Sequence, residues 1–230
     1  MNLLLLARRP DPLEVVANRI RVEHGVEVRP LAIDVADPGF ASALDAATAD
    51  LEIGVLVYNA AFSPIGKFLE LSQEDLLRVV DVNIRAPIVF VRTLAPPMLA
   101  RRRGAVVLMS SLAGLQGSPR IATYAASKAF NNILAEGLWG ELRRSGIDVL
   151  ASCAGAIRTP SYIESAAYDA RDVPGTLEPT EVARQTLAAL GHGPRVVPGW
   201  LNRLAILVMG HALPRKAAVR VMAANTRDLH

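Results

Sequence analysis

The chain has 230 residues, of which 51% are hydrophobic, so it can bury one substantial core. Its 25 Lys and Arg and 22 Asp and Glu nearly balance, which argues against a general nucleic-acid binder, since such a protein would show a concentrated basic face. No run approaches the roughly 18–20 apolar residues that cross a bilayer. The apolar start, followed by Arg8, Arg9 and Pro10, does not match a signal peptide. The single cysteine, Cys153, rules out an internal disulfide and favours a cytoplasmic location.

Short aliphatic runs alternate with longer helical patterns along the chain. The runs are apolar almost throughout, which is typical of strands in a parallel sheet covered on both faces. They lie at 2–7, 27–33, 54–58, 105–110, 147–153 and 195–198. The helical patterns lie at 12–24, 38–49, 73–102, 123–144, 180–190 and 201–224. This alternation predicts a single α/β domain over residues 1–230, with a doubly wound, mostly parallel sheet and helices on both faces.

The segment YAASK carries the strongest chemical signal. Tyr124 and Lys128 are four residues apart within a helical pattern, so their side chains share one face of the helix. An ammonium beside a phenol stabilises the phenolate and lowers the tyrosine pKa, which suits proton transfer near neutral pH. The pair alone is weak evidence, because the same spacing also joins ordinary surface or half-buried positions.

Further polar residues occur in a fixed order around this pair. Ser111 ends a predicted strand thirteen residues before Tyr124, and Asn83 lies in the helical pattern at 73–102. Taken singly, a serine can simply end a strand, and an asparagine can tie down neighbouring backbone. Together, in this order and spacing, the segments VVLMSSLAG, DVNIRAP, VLVYNAAF and YAASK resemble the short-chain dehydrogenase/reductase family. The resemblance runs from residue 1 to about residue 198 and implies a Rossmann-type fold.

The resemblance implies an oxidoreductase that interconverts a carbonyl and an alcohol. Tyr124 would be the acid in reduction or the base in oxidation, and Ser111 would hold and polarise the substrate oxygen. Lys128 would lower the pKa of Tyr124 and bind the nicotinamide ribose, while Asn83 would position a water that links Lys128 to solvent. Hydride transfer to a carbonyl builds negative charge on its oxygen, so hydrogen-bond donors aimed at that oxygen lower the barrier. No residue is assigned to a metal.

The resemblance also implies a cofactor site, and it favours NADP(H) over NAD(H). Arg8 and Arg9 follow the first strand, where an acid would bind the ribose diol of NAD. A guanidinium suits a 2′-phosphate instead, although the pair could equally be solvated. The remaining implied cofactor contacts are Asp34 and Val35 near the adenine, Asn59, Ala60 and Ala61 beside the ribose, Tyr124 and Lys128 at the nicotinamide ribose, and Ile157 and Thr159 at the carboxamide.

One departure from the family pattern is large. The family begins with a strand, a T-G-x-x-x-G-x-G turn and a helix, and no such glycine cluster follows a strand in this chain. We therefore expect a chain that lacks the first βα unit, with a working form that starts further upstream. The missing strand is central in the usual order, so the strands at 2–7 and 54–58 should have unpaired edges.

Residues 192–230 exceed what the sheet needs. Leu201, Leu204 and Leu207 suit one helical face, and six Lys or Arg against one acid follow residue 192. One interpretation is a flap over the substrate pocket, with a basic surface for peripheral contact with membrane lipid or an acyl-carrier partner. Such a flap would indicate an apolar steroid-like or fatty-acyl substrate. The alternative is a packed helix pair with solvated charges.

Three functions therefore remain open. The first is an NADP(H)-dependent oxidoreductase acting on a small, apolar carbonyl or secondary alcohol. The second is a truncated, non-catalytic family member that acts as a binding or regulatory protein. The third, an epimerase or dehydratase that recycles its cofactor, ranks last because such enzymes usually have a larger C-terminal substrate region. Family members commonly form homodimers or homotetramers through the helices at 73–102 and 123–144.

Overall fold

The structure is a computed structural model that describes residues 1–165, 173–209 and 213–226. Its strands are β1 Leu3–Ala7, β2 Val28–Ala32, β3 Val55–Tyr58, β4 Gly104–Ser111, β5 Ile147–Ala154 and β6 Arg195–Val196. Its helices are α1 Pro10–His24, α2 Phe40–Thr48, α3 Gln73–Val80, α4 Ala86–Arg101, α5 Ala122–Leu142, α6 Pro160–Ser165, α7 Pro179–Ala188, α8 Trp200–Leu207 and α9 Arg215–Asn225. Each predicted strand and helical pattern is confirmed to within a few residues.

Two predicted helices are divided. The pattern at 73–102 forms α3 and α4 joined by a π-helical turn, Asp81–Arg85, which contains the buried Asn83. The pattern at 201–224 forms α8 and α9, since Pro214, which cannot continue a helix, stands directly before α9. Residues 210–212 and 227–230 of the predicted flap lie outside the described residues.

All strand pairs are parallel, but the ladder is interrupted. β1 pairs with β2, and β3, β4, β5 and β6 form a second ladder in that order. The register places Ser111 beside Ala154 at the carboxyl ends of β4 and β5. β1 and β3 do not pair with each other, which confirms the two unpaired edges expected from the sequence. A parallel sheet flanked by helices is therefore present, with a break between β1 and β3.

The core lies mainly around the second ladder. α5 packs against β4 and β5, and α4 packs against β3 and β4. Phe40 and Leu44 of α2 belong to the same buried cluster as Met98 of α4, and the two helices pack together. β3 departs locally from the expected cover, because Val57 is 49% exposed beside the break between β1 and β3. The covered strands β4 and β5 hold the residues that follow them in place.

Candidate active site

Three predicted catalytic residues meet at the carboxyl end of β4. The Ser111 side chain lies next to the Tyr124 phenol and acts to lower its pKa. Lys128 Nζ lies 5.5 Å from the centre of the Tyr124 ring. The same ammonium donates to the carbonyl oxygen of Met109 at 2.8 Å. The four-residue spacing in α5 therefore places both side chains next to Ser111, as the sequence predicted.

The segment after β4 is fixed against α5 by close backbone contact. Ser110 Oγ donates to the Lys128 carbonyl oxygen at 2.8 Å. A Cβ atom on Gly114 would lie 2.6 Å from the Lys128 carbonyl carbon and 2.7 Å from the Ala129 nitrogen. Only glycine allows this approach, so the distance between Ser111 and the Lys128 turn is set by backbone packing.

Burial controls the proton affinities of the site. Lys128 is 3% exposed, and its burial lowers the lysine pKa to about 8. Burial raises the pKa of Tyr124, and this outweighs the effect of the Ser111 side chain, which acts in the opposite direction. The expected lowering of the Tyr124 pKa by Lys128 is therefore not observed, because desolvation of the phenol dominates.

Asn83 binds backbone rather than facing solvent. Its Oδ1 accepts from the Phe62 amide at 2.8 Å, and its Nδ2 donates to the Phe62 carbonyl oxygen at 2.9 Å. The Nδ2 group also donates to Ser127 Oγ at 3.0 Å. These bonds tie the chain after β3 to α5. They agree with the alternative interpretation from the sequence, in which Asn83 holds neighbouring backbone in place. Its part in a water relay stays a prediction.

Three residues of this network escaped the sequence analysis. Ser127 accepts from Asn83 and donates to the Tyr124 carbonyl oxygen at 2.7 Å. Asn131 Nδ2 donates to the Asn83 carbonyl oxygen at 3.1 Å, and the Tyr58 hydroxyl donates to the Val82 carbonyl oxygen at 2.5 Å. Asn131 was recognisable in principle, because it lies three residues after Lys128 and so shares its face of α5.

The residues predicted to meet the adenine end follow β1 and β2. Arg8 and Arg9 are exposed in the short turn from β1 to α1. Asp34 forms an ion pair with Arg78 and accepts from the Ala36 amide at 3.0 Å. Partial burial raises the pKa of Asp34, but these bonds and the charges of Arg78 and Arg8 outweigh it and lower the pKa. Part of the Asp34 carboxylate is therefore already engaged by the protein.

The other predicted cofactor residues have mixed environments. Val35 packs against the hydrophobic core. Residues 59–61 are exposed directly after β3. Ile157 and Thr159 are half-buried after β5. Thr159 Oγ1 accepts from the Tyr162 amide at 3.2 Å at the start of α6.

A nicotinamide cofactor suits part of this edge of the sheet. The predicted positions follow the carboxyl ends of parallel strands, where ligands of such sheets bind. Exposed backbone at 59–61 and half-buried Ile157 and Thr159 accompany the group of Ser111, Tyr124 and Lys128. This arrangement fits the nicotinamide and ribose. The turn between β1 and α1 consists of Arg8 and Arg9 and contains no glycine, so it supplies charge there rather than a glycine-rich loop.

Comparison with known proteins agrees with the geometry. The 7beta-hydroxysteroid dehydrogenase of Clostridium sardiniense is 30% identical over 203 residues, covering 88% of this chain and 78% of the relative. A solved structure of a 7beta-hydroxysteroid dehydrogenase superposes with a TM-score of 0.88 at 28% identity, covering 96% of this chain and 86% of that chain.

Solved structures with bound cofactor are also similar. A short-chain dehydrogenase from Sphingobium yanoikuyae in complex with NADPH has a TM-score of 0.77 at 29% identity, covering 92% of this chain and 84% of that one. A 3-oxoacyl-[acyl-carrier protein] reductase from Brucella melitensis with bound NAD has a TM-score of 0.72 at 26% identity, covering 85% and 79%. The family model for short chain dehydrogenases matches residues 1–168. With Ser111, Tyr124 and Lys128 assembled as described, the chain belongs to the short-chain dehydrogenase/reductase family of oxidoreductases.

Proposed function

We propose that the protein interconverts a carbonyl and a secondary alcohol on a small, apolar substrate, with NADP(H) as cofactor. The grouping of Ser111 and Tyr124 beside the buried ammonium of Lys128 carries this proposal. It places two hydroxyl donors and a positive charge around one point at the end of β4. Such donors stabilise the negative charge that develops on a carbonyl oxygen during reduction.

The protein residues divide the work of the reaction. When bound, the reduced nicotinamide supplies the hydride that reaches the carbonyl carbon. Ser111 Oγ binds the substrate oxygen, and Tyr124 Oη gives it the proton that completes the alcohol. Burial raises the pKa of Tyr124, so the phenol keeps this proton at neutral pH and is ready to act as the acid. Lys128, with a pKa of about 8, returns a proton to this group.

The cofactor preference rests on the turn after β1. Arg8 and Arg9 are exposed there, and the turn carries no acid that would bind a ribose diol. A guanidinium can bind a 2′-phosphate through two parallel hydrogen bonds. The similar NADPH complex supports this choice, while the NAD-bound relative shows that the fold also takes the other cofactor. Calorimetric titration with NADPH and with NADH separates the two.

Apolar surroundings favour an apolar substrate. A crevice beside Tyr124 is lined by Phe68, Leu71, Leu76 and Ile121, among others. The hydroxysteroid dehydrogenases named above act, by their names, on compounds of this type. We therefore place steroid-like and fatty-acyl carbonyl compounds first in a substrate panel.

The C-terminal helices are proposed to cover the substrate side. Asn202 of α8 donates to the Gly175 carbonyl oxygen at 3.1 Å. At α9, Arg215 binds the Leu115 carbonyl oxygen at 3.2 Å and Thr226 binds that of Pro119 at 2.9 Å. The bonds of Arg215 and Thr226 hold the segment that lies between Ser111 and Tyr124 in the chain. A flap role for residues 192–230 is consistent with these contacts.

Substitution of Tyr124 tests the proposed chemistry. Tyr124→Phe should lower kcat by at least about 100-fold, because general acid catalysis contributes 10²–10⁴-fold. Ser111→Ala should also lower kcat, whereas the neighbouring Ser110→Ala should mainly affect stability, since Ser110 bonds the backbone of Lys128. NADPH oxidation in the presence of the carbonyl panel provides the assay. Full turnover by Tyr124→Phe would exclude the role given to this residue.

A non-catalytic binding protein is the second candidate, and the unpaired edges of β1 and β3 favour it. A cofactor site beside an interrupted sheet could bind weakly. Micromolar binding of NADPH together with turnover would exclude this alternative. Absence of both, in a chain whose circular dichroism shows a folded state, would support it.

Assembly and location complete the proposal. Leu77, Val80, Ile88 and Ile133 are exposed apolar residues on α3, α4 and α5, the helices predicted to join subunits. We propose a homodimer or homotetramer through them, which light scattering after size exclusion can measure.

The buried free thiol of Cys153 is consistent with a cytoplasmic location. No helix in the described residues is long and apolar enough to cross a membrane.

A further inference from the structure

The helix α8 presents an apolar stripe on its outer face. Trp200, Leu204 and Leu207 are 71%, 51% and 59% exposed, and their spacing of four and three residues places them on one side of the helix. Leu201 and Val208 border the same stripe and are also exposed. Single exposed apolar residues are ordinary, but four along one short helix and a fifth directly after it form a patch of the kind that marks an interaction site.

The opposite face of α8 is anchored, so the stripe cannot turn inward. Asn202 is buried and donates to the carbonyl oxygens of Gly175 and Pro198 at 3.1 and 3.0 Å. A Cβ atom on Gly155 would lie 2.9 Å from the Asn202 amide group, so the backbone after β5 packs directly on this side chain. The helix is held with its apolar face outward.

Positive charge accompanies the stripe. Residues 193–209 and 213–226 contain four arginines and a lysine and no Asp or Glu. Arg195 is paired with Glu136, and Arg203 and Arg215 bond carbonyl oxygens, so the charge that remains lies on α9. Lys216 and Arg220 of α9 are exposed and form no ion pair within the described residues, and they border an open shelf around Val219. The chain just after α8 and the start of α9 contact the same segment, because Met209 Sδ accepts from Gln116 Nε2 at 3.5 Å and Arg215 binds the adjoining Leu115 carbonyl oxygen.

We propose that the outer face of α8 and the basic shelf of α9 form a docking surface for an anionic lipid bilayer. Trp and Leu side chains enter the boundary between headgroups and acyl chains, while guanidinium and ammonium groups meet the anionic headgroups. The eight residues of α8 extend about 12 Å, so the helix lies along the surface rather than crossing it. A two-fold contact with a second copy would bring like charges together, which favours lipid as the occupant.

Vesicle co-sedimentation tests the proposal without any reference to catalysis. The probes are phosphatidylcholine vesicles with and without about one third phosphatidylserine, and the expected result is stronger binding to the anionic vesicles that weakens with salt. Leu204→Glu should reduce the bound fraction at least about tenfold, since a charge opposes insertion. The matched control is Val22→Glu, because Val22 is an apolar residue on α1 that is 85% exposed, and it should bind like the unaltered protein.

The basic shelf makes a separate contribution. Lys216→Ala and Arg220→Ala should each weaken binding to anionic vesicles about fivefold and leave binding to neutral vesicles unchanged. In a Trp139→Phe background, the fluorescence of Trp200 should shift to shorter wavelength on binding. Equal binding by Leu204→Glu and Val22→Glu would overturn the proposal. The proposal would also be overturned if the unaltered protein bound neither kind of vesicle and Leu204→Glu lowered the oligomeric mass. The outer face of α8 would then be a protein interface.

Discussion

Replacing Lys128 with methionine should remove a pH-dependent component of stability. Burial lowers the pKa of Lys128 from its ordinary value of 10.5 to about 8. Each tenfold change in proton affinity is worth about 1.4 kcal/mol, so the charged form is disfavoured by about 3 kcal/mol in the folded state. Below pH 8 both folded and unfolded chains hold the proton, and this contribution is constant. Between pH 8 and 10.5 the unfolded chain binds more protons, so the stability of the unaltered protein rises with pH.

The expected change is about 2.5 kcal/mol between pH 7 and pH 10, measured as the difference in unfolding free energy between the unaltered protein and Lys128→Met. Urea unfolding at each pH gives both values. Subtracting the unfolding free energy of the variant removes the contributions of the other titrating groups. The variant also loses the hydrogen bond to the Met109 carbonyl oxygen, which shifts the difference by a constant, so the test uses only the slope of the difference against pH. Lys67→Met provides the control, since the side chain of Lys67 is 73% exposed and its replacement removes no buried charge. A flat difference for Lys128→Met would refute the inferred burial cost.

Three further predictions follow from the same site. Gly114→Ala should destabilise the protein by about 1–3 kcal/mol, measured by urea unfolding, because the added methyl group overpacks the contact with α5. The control is Gly137→Ala, where a Cβ atom meets nothing within 4 Å, and this change should stabilise α5 by about 0.5–1 kcal/mol. Arg8→Ala should raise the Kd for NADPH about tenfold in calorimetry and leave that for NADH unchanged, because only NADPH carries the phosphate; an equal loss for both would remove the selectivity role. Because burial raises the pKa of Tyr124, the rate of alcohol oxidation should still rise between pH 8 and 10, and a plateau below pH 8 would contradict the raised pKa.

The sequence predicted the elements well because hydrophobic pattern and local spacing determine them. The run at 147–153 is buried along nearly its whole length in β5, and the YAASK spacing brings Tyr124 and Lys128 together. The proton affinities were not predictable in the same way. The pKa of Tyr124 depends on how completely the folded chain excludes water from the phenol. The spacing of Tyr124 and Lys128 in the sequence does not contain that information.

The π-helical turn was also beyond a sequence pattern. It depends on distant partners, since Asn83 bonds Phe62 and Ser127 while the Tyr58 hydroxyl bonds the Val82 carbonyl oxygen. The hydrophobic periodicity over 73–102 indicates a helix. It does not show at which residues the helix widens into a π-helical turn. The exposed side chain of Val57 likewise depends on which neighbour lies over β3.

The break between β1 and β3 has a consequence for cooperativity. The unit of β1, α1 and β2 shares no ladder with the catalytic strands, and a two-stranded sheet is marginal on its own. It is joined to the remainder by the ion pair of Asp34 with Arg78, by the bond from Arg85 to the Ala36 carbonyl oxygen, and by apolar residues packed on the core. In the chain as described, this unit should therefore open more readily than the second ladder, and its amides should exchange faster than those of β4 and β5. The cofactor selection proposed for Arg8 would then be coupled to a local folding equilibrium, separate from the stability of the group formed by Ser111, Tyr124 and Lys128.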